Sequence, residues 1–273
     1  MSLTTLLGFT FVQNAIYAVT AVALAAGAVG YFVVLRRQAF AAHAIGHIGF
    51  AGAVLLGLAP VVGLLVFCLG AGLMIGLAGA SLDDRDAVVG VTLTAALGLG
   101  VLFISLYSGY ANATYSILFG QILGVTTGDV WLVAGLSAAV LLTVSLVYRP
   151  LLFVSVDAQS AAVRGVSPMG YSVLFMGLLA LTTVVAIQIV GVLLVFALLV
   201  APAATAAALT GRPARAMLLA MALALASSWI GLALAIWIGG PTSFWITALA
   251  SLGYLGARVR LRVGQTHGQR VAA

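Results

Sequence analysis

Long uncharged apolar runs, separated by short connections, are the feature that most constrains this chain. A transmembrane helix needs about 20 consecutive apolar residues to cross the hydrocarbon core of a bilayer. Nine such runs are predicted, at 11–35, 39–58, 61–80, 87–107, 130–148, 170–187, 189–209, 216–238 and 242–257. The segment 108–129 is compatible with an external loop or a partly re-entrant helix, so eight spans remain an alternative. The pattern predicts an all-α, polytopic transmembrane helical bundle.

The composition agrees with a bilayer environment. Hydrophobic residues make up 64% of the 273 residues and charged residues only 6%, too little polar surface for a soluble domain of this size. We expect one membrane domain over residues 1–257 and a cytoplasmic tail at 258–273. The first apolar run follows no basic segment and precedes no small-residue cleavage site, so we expect it to be kept as a span.

The charged residues are all arginine or aspartate, because the chain contains no lysine and no glutamate. A P-loop of the form GxxxxGK[ST] needs its lysine on the nucleotide phosphates, so this chain cannot carry that ATP-binding motif. Any ATP-driven work must come from a partner subunit. The arginines are scattered between apolar runs rather than clustered, and we therefore expect no nucleic-acid partner.

The arginines fall in alternate connections. They follow the first, third, fifth, seventh and ninth runs: Arg36, Arg37, Arg85, Arg149, Arg164, Arg212, Arg215, Arg258, Arg260 and Arg262. Cytoplasmic connections of membrane proteins carry an excess of positive charge. With nine spans, this pattern predicts an N-terminus outside the cell and a cytoplasmic C-terminus.

His43 and His47 are ionisable residues inside the second run. Their spacing of four places them on one face of a helix, and such residues within a span are functional candidates because they are costly in hydrocarbon. Two neutral imidazoles can bind one metal ion but cannot complete a tetrahedral shell. Two copies related by a two-fold axis would bring four imidazoles together. The pair is equally compatible with histidines that only hydrogen-bond between packed helices.

The other reactive or charged residues suggest no site. Cys68 lies in an apolar run, where an inert buried thiol is expected. The residues from Asp83 to Asp86 resemble a solvated turn rather than a cation-binding loop, and His267 lies in the polar tail. Groupings typical of hydrolases, zinc enzymes or redox motifs are missing from the sequence, so the residues predict no catalytic activity for this chain.

The connection after the fifth run, at about 149–169, is the longest cytoplasmic one. We predict a short surface helix from Asp157 to Val163, ended by Gly165 with Pro168 following. Such a helix could dock a partner, or it could be an ordinary amphipathic connector.

Four stretches of the chain together resemble the permease subunits of bacterial zinc, manganese and iron ABC importers. They read GAVGYFVVLRRQAFAAHAIGHIGFAGA, LFGQILGVTTGDVW, VDAQSAAVRGVS and IVGVLLVFALLVAPAATAAALTGR. The resemblance covers nearly the whole chain. It implies a permease in the bacterial cytoplasmic membrane, paired with a second copy or a paralogue and holding no permanent cofactor. An extracytoplasmic binding protein would deliver the metal, and two cytoplasmic ATPase subunits would drive transport.

The resemblance also assigns roles to residues. The segment at 157–165 is similar to the element that meets the ATPase, and this assigns coupling to Asp157, Ala161 and Gly165. In the family, the second span commonly carries an aspartate four residues before a histidine, and both are implicated in metal passage. Here His47 matches that histidine and His43 takes the aspartate position.

Further positions in this motif also differ from the family pattern. Gly52 matches a family glycine, whereas Ala51 replaces a usual proline and Gly46 a usual serine. Exchanging a hard carboxylate for the imidazole of His43 should move metal preference away from manganese and toward zinc or another ion that prefers nitrogen ligands. Metal binding should also be pH-sensitive, because both imidazoles must be neutral to bind the ion.

Three other functions are compatible with parts of the pattern. One is a permease for a metal chelate, such as a siderophore or cobalamin, with a related arrangement of helices. Another is an ion-coupled secondary transporter that works without an ATPase. Such transporters usually need carboxylates within the membrane, and none of the five aspartates lies at the centre of a run. The third is a structural membrane protein without a substrate.

Overall fold

The computed structural model describes residues 8–56, 59–78, 85–106 and 116–271. For residues 78, 85–86, 104 and 262–271 it describes the backbone alone. Asp83 and Asp84 lie outside the described residues, as does the side chain of His267.

Helices make up the regular structure of the described ranges, and no strand occurs in them. In chain order they are α1 (Thr10–Leu35), α2 (Ala39–Leu55), α3 (Pro60–Ala78), α4 (Arg85–Leu106), α5 (Thr127–Val156), α6 (Ala158–Val163), α7 (Pro168–Val190), α8 (Val192–Leu209), α9 (Pro213–Ile238) and α10 (Thr242–Val271). Each of the nine predicted runs overlaps one of the nine long helices in the described ranges. The prediction of an all-α polytopic bundle is confirmed.

Six of these helices are long and apolar enough to cross a membrane: α1, most of α3, α5, α7, α8 and α9. Two shorter apolar helices accompany them, α2 and the Ala87–Phe103 part of α4. Large exposed side chains at helix ends include Trp131 and Trp237, near the start of α5 and the end of α9. Tryptophan is enriched where membrane helices meet the aqueous interface.

Helix ends that the arginine pattern assigns to the same side of the membrane lie together. The Asn14 amide donates a hydrogen bond to the Val125 carbonyl at 3.2 Å, which joins the start of α1 to the start of α5. At the other ends of the same helices, the Arg36 guanidinium donates to the Ser155 hydroxyl at 3.4 Å. Helices α1 and α5 therefore run parallel, as the arginine pattern predicts, while their orientation in the cell stays a prediction.

Helix α1 lies at the centre of the bundle and contacts α5, α7, α8 and α9. Its buried face consists largely of alanine, valine and glycine. A Cβ at Gly27 would lie 2.5 Å from the Cα of Met221 in α9, and one at Gly30 would overlap the Leu199 carbonyl of α8. Small residues allow membrane helices to pack backbone against backbone, and α8 is held close to α1 in this way.

The segment before α5 packs onto the bundle. It contains a helical turn at 116–119 and a 3-10 turn at Ile122–Gly124. Gly120 and Gly191 both have positive φ, 76° and 80°, and a Cβ on Gly120 would lie 2.7 Å from the Gly191 nitrogen. The Ser243 hydroxyl donates to the Phe119 carbonyl at 2.8 Å. The segment is thereby fixed against the α7–α8 junction and the start of α10.

Helix α5 extends beyond the predicted fifth run, which ends at 148. It continues through Pro150 to Val156, so the residues 149–156 of the predicted cytoplasmic connection are helical. A proline removes one backbone hydrogen bond from a helix and usually bends or ends it. Here the residues that follow it, Leu151 and Val154, are buried against the bundle, and this packing favours continuation of the helix.

The described part of the predicted tail is helical, because α10 runs without interruption from Thr242 to Val271. The cytoplasmic location of this segment stays a prediction. The polar residues after Ala257 therefore continue the helix that begins in the ninth apolar run.

Candidate metal site

Helix α2 has two faces with different surroundings. Its glycines face the bundle: Gly49 packs against the Cys68 sulfur of α3, and Gly52 lies against the Gly63 backbone. These contacts leave no room for side chains, so α2 and α3 lie very close together. His43 and His47 lie on the opposite face of α2, because they are offset from the glycines by about half a turn.

The two histidines form a contacting pair. Their ring centroids are 4.5 Å apart and the rings are nearly perpendicular, at 72°. Both side chains are partly exposed. The predicted placement of the two imidazoles on one helical face is therefore present in the structure, and they are close enough to act on one ion.

The histidine face of α2 borders a strip between α4 and α8. On one side Phe40 packs near Gly90 of α4, and Phe50 packs near Gly100. On the other side Phe196 of α8 contacts His43, with centroids 5.1 Å apart and an interplanar angle of 73°. The imidazoles are thus accessible from outside the single chain, through a strip with aromatic borders.

One chain offers two of the ligands that a metal ion requires. Within the described residues, no group of three or more histidine, cysteine or acidic side chains is placed to hold a metal. A tetrahedral zinc site needs four ligands. A complete site on this face therefore needs additional ligands from a second chain or from water.

The structure also contains the predicted helix in the connection between α5 and α7. Asp157 caps α6, accepting hydrogen bonds from the Ser160 amide at 3.0 Å and from the Ser160 hydroxyl at 2.5 Å. These hydrogen bonds lower the pKa of the Asp157 carboxyl below its usual value. Val163 is 90% exposed at the end of the helix, so α6 presents an apolar side chain outward.

The end of α6 follows a known C-terminal pattern. The Val166 amide donates to the Ala161 carbonyl, and the Gly165 amide donates to the Ala162 carbonyl, both at 3.0 Å. Gly165 has a φ of 81°. This is a Schellman motif, in which glycine adopts the left-handed conformation at little cost. Ala161 is fully buried and anchors the helix.

A separate cavity of about 190 Å³ lies near the other ends of the helices, lined by residues that include Gln121, Asp129 and Gln188. Two of its apolar lining residues, Leu64 and Ile187, lie close to Gly49. The cavity is therefore on the glycine side of α2 and does not include the histidine pair.

Phe196 is the residue of this site that sequence reasoning missed. It lies in the run VGVLLVFALLV, where every residue is apolar and none stands out. Its contact with His43 depends on how α8 is placed against α2, which a single apolar run does not specify. Only the packing of the two helices could have identified it.

Comparison with known proteins places these features in a family. A model of the ABC 3 transport family matches residues 8–260. The manganese import system permease protein ScaB of Streptococcus parasanguinis is 37% identical over 228 residues, covering 82% of this chain and 81% of the relative. The manganese transport system membrane protein MntC of Halalkalibacterium halodurans is 36% identical over 211 residues, covering 76% and 72%.

A solved structure is similar over nearly the whole chain. It is PsaBC from Streptococcus pneumoniae in complex with Fab, 32% identical, with a TM-score of 0.82 and coverage of 92% of each chain. The names of the ScaB and MntC relatives specify manganese, and they give no support to the zinc preference predicted from His43. The chain belongs to the ABC 3 transport family and is the permease subunit of an ABC-type metal importer, a family in which a separate subunit hydrolyses ATP.

Proposed function

We propose that this permease conducts a divalent first-row transition metal into a bacterial cell, with His43 and His47 as ligands along the path. The observation that carries the proposal is the pair of contacting, partly exposed imidazoles on the outward face of a membrane helix. Polar side chains directed at lipid are costly. Such a face is therefore expected to border a translocation path rather than hydrocarbon.

A second permease chain would complete the site. If two histidine faces meet across a two-fold axis, four imidazoles converge near that axis. Four nitrogen ligands suit a first-row transition metal better than a hard ion such as magnesium. Contact between the two chains would also cover the accessible strip between α4 and α8. It would explain why His43 and His47 lie on an otherwise apolar surface.

Each side of the membrane domain has its own proposed protein partner. We propose that α6, with Asp157, Ala161 and Gly165, docks a cytoplasmic ATPase subunit. Its fixed ends and its exposed Val163 support this role. An extracytoplasmic binding protein would deliver the metal to the opposite side, near the cavity lined by Gln121, Asp129 and Gln188. In an ABC importer the ATPase subunits drive transport, so the permease needs no ion-coupled mechanism of its own.

The identity of the metal has two candidates. The named relatives favour manganese. The replacement of the usual aspartate by His43 favours zinc, because imidazole is a poorer ligand for manganese than a carboxylate is. We propose manganese as the principal cargo and zinc as a competing ion whose acceptance depends on His43.

Metal-stimulated ATP hydrolysis by the permease reconstituted with its ATPase is the direct test. Manganese, zinc and iron should be compared with metal chelates, with the binding protein present throughout. Stimulation by a free divalent ion supports the proposal. Stimulation by a siderophore or cobalamin alone would instead support the chelate alternative.

His43→Asp is expected to shift selectivity toward manganese by roughly tenfold relative to zinc. The change restores a hard oxygen ligand in the place of a nitrogen ligand. Uptake of each metal in competition with the other, in proteoliposomes, measures the ratio. His43→Asn serves as a control, since it adds an oxygen of similar position without the negative charge. An unchanged ratio in His43→Asp would show that His43 does not contact the cargo.

Asp157→Ala is expected to reduce metal-stimulated ATP hydrolysis about fivefold, because α6 loses the side chain that caps its N-terminus. Since the pKa of Asp157 is lowered in the folded protein, the charged cap persists at neutral pH. Its contribution is lost only as the pH falls through that lowered pKa. Asp157→Asn retains an oxygen that can cap the helix and should keep most activity. Equal activity of Asp157→Ala and the unmodified protein would contradict a coupling role.

A further inference from the structure

Phe196 and the histidine pair form a stack of three rings. Phe196 meets His43 at 5.1 Å, and His43 meets His47 at 4.5 Å, with both contacts close to perpendicular. Edge-to-face contacts are favourable because the electron-rich face of one ring meets the electron-poor edge of another. The middle ring, His43, is therefore held from both sides.

The position of Phe196 is fixed by the backbone of α8. This helix begins directly after Gly191, the single residue that joins it to α7. Gly191 packs against the backbone of Gly120, and farther along α8 the Leu199 carbonyl packs against Gly30 of α1. These contacts lie on either side of Phe196 along the helix. They prevent α8 from sliding or rotating without separating closely packed backbones.

Within the part of the chain that the structure describes, the orientation of the two imidazoles is supported by ring contacts rather than by hydrogen bonds. A histidine that binds metal commonly donates its second ring N–H to a carboxylate or carbonyl, which fixes the ring orientation. Among the described residues, His43 and His47 are held by ring contacts instead of such hydrogen bonds. The Phe196 ring cannot coordinate a metal, but it restricts rotation of the neighbouring imidazole and excludes water from one side of it.

We propose that Phe196 is a positioning residue for metal binding, which orients the His43 imidazole toward the ion. This inference rests on the proposed function of the histidine pair. With Phe196 in place, His43 is preorganised and loses little conformational freedom when metal binds. Without the ring, the imidazole samples other rotamers and the apparent affinity for metal falls, while assembly with the ATPase is unaffected.

The test uses the permease reconstituted with its ATPase and titrated with manganese and, separately, with zinc. Phe196→Leu should raise the half-saturating metal concentration about threefold to tenfold, with the maximal rate of ATP hydrolysis within about twofold of the unmodified complex. Phe196→Tyr keeps a ring and should restore the original value. Phe196→Met, which also removes the ring but keeps an unbranched bulky side chain, should repeat the effect of Phe196→Leu.

Leu193→Ala is the matched control, since Leu193 lies one turn away on the same helix and is 54% exposed. It should leave the half-saturating concentration unchanged. The inference fails if the ring-free variants keep normal half-saturation, if they lower only the maximal rate, or if Phe196→Tyr is impaired as much as they are. An unmodified complex that no metal stimulates would instead overturn the proposed function, and the inference with it.

Discussion

Simultaneous replacement of His43 and His47 by alanine is expected to reduce metal uptake about 100-fold or more. Residues that merely support metal ligands typically change affinity 10–100-fold when mutated, and loss of the ligands themselves should cost at least as much. In a two-fold assembly the double change would remove all four imidazoles from the path. Uptake of radioactive manganese and zinc into proteoliposomes containing the whole complex measures the effect.

His267→Ala provides a control for the loss of a histidine, because His267 lies in the C-terminal part of α10, far along the chain from the pair. The His267→Ala variant should transport metal normally. The single variants separate the two roles: His47→Ala should impair every metal, whereas His43→Ala should impair zinc more than manganese. Full transport of either ion by the double variant would show that the pair does not line the path.

Part of this site was accessible from the sequence because helical spacing is a strong constraint. Residues four apart share a face in any α-helix, so the contact between His43 and His47 could be predicted once the run was recognised as helical. The opposite face was harder to recognise. Gly49 and Gly52 look like ordinary small residues of a membrane helix, and their close approach to α3 becomes evident only when the neighbouring backbone is in place.

The helices themselves were predictable where length and apolarity agreed, but their ends were less so. The fifth run was predicted to end at 148, whereas α5 continues to Val156 through Pro150, a residue type that usually bends or ends a helix. Burial of Leu151 and Val154 depends on distant parts of the chain, and it outweighs that local preference. Gly165, by contrast, was a reliable signal, since the end of α6 is set by local backbone conformation.

The junction between α7 and α8 connects the fold to the site. Gly191 is both the C-cap residue of α7 and the N-cap residue of α8. It lies against Gly120 in the segment before α5. A shift at this point would displace α8 and with it Phe196, whose ring contacts His43. The geometry of the histidine pair thus depends on a backbone contact that is distant from it along the chain.

Gly191→Ala is therefore expected to destabilise the protein by about 4 kcal/mol. Its φ of 80° and ψ of 162° fall in a region that is essentially restricted to glycine, and occupying it with alanine costs about 1–3 kcal/mol. The added Cβ would also overlap the Gly120 nitrogen and lie 2.6 Å from the Leu118 carbonyl oxygen. Forcing an extra group into a packed interior costs about 1–3 kcal/mol more. The free energy of unfolding in detergent micelles measures the total.

Gly239→Ala separates the cost of the backbone conformation from the cost of steric overlap. Gly239 has nearly the same conformation, with φ of 87° and ψ of −178°, but a Cβ there would meet no atom within 4 Å. It should lose only the conformational part, about 1–3 kcal/mol, and should retain normal half-saturation by metal. Protein with Gly191→Ala that remains folded should require more metal, because α8 no longer holds Phe196 against His43. If the two variants were equally stable, the close approach of Gly120 to Gly191 would contribute nothing to the fold, and α8 would need another anchor.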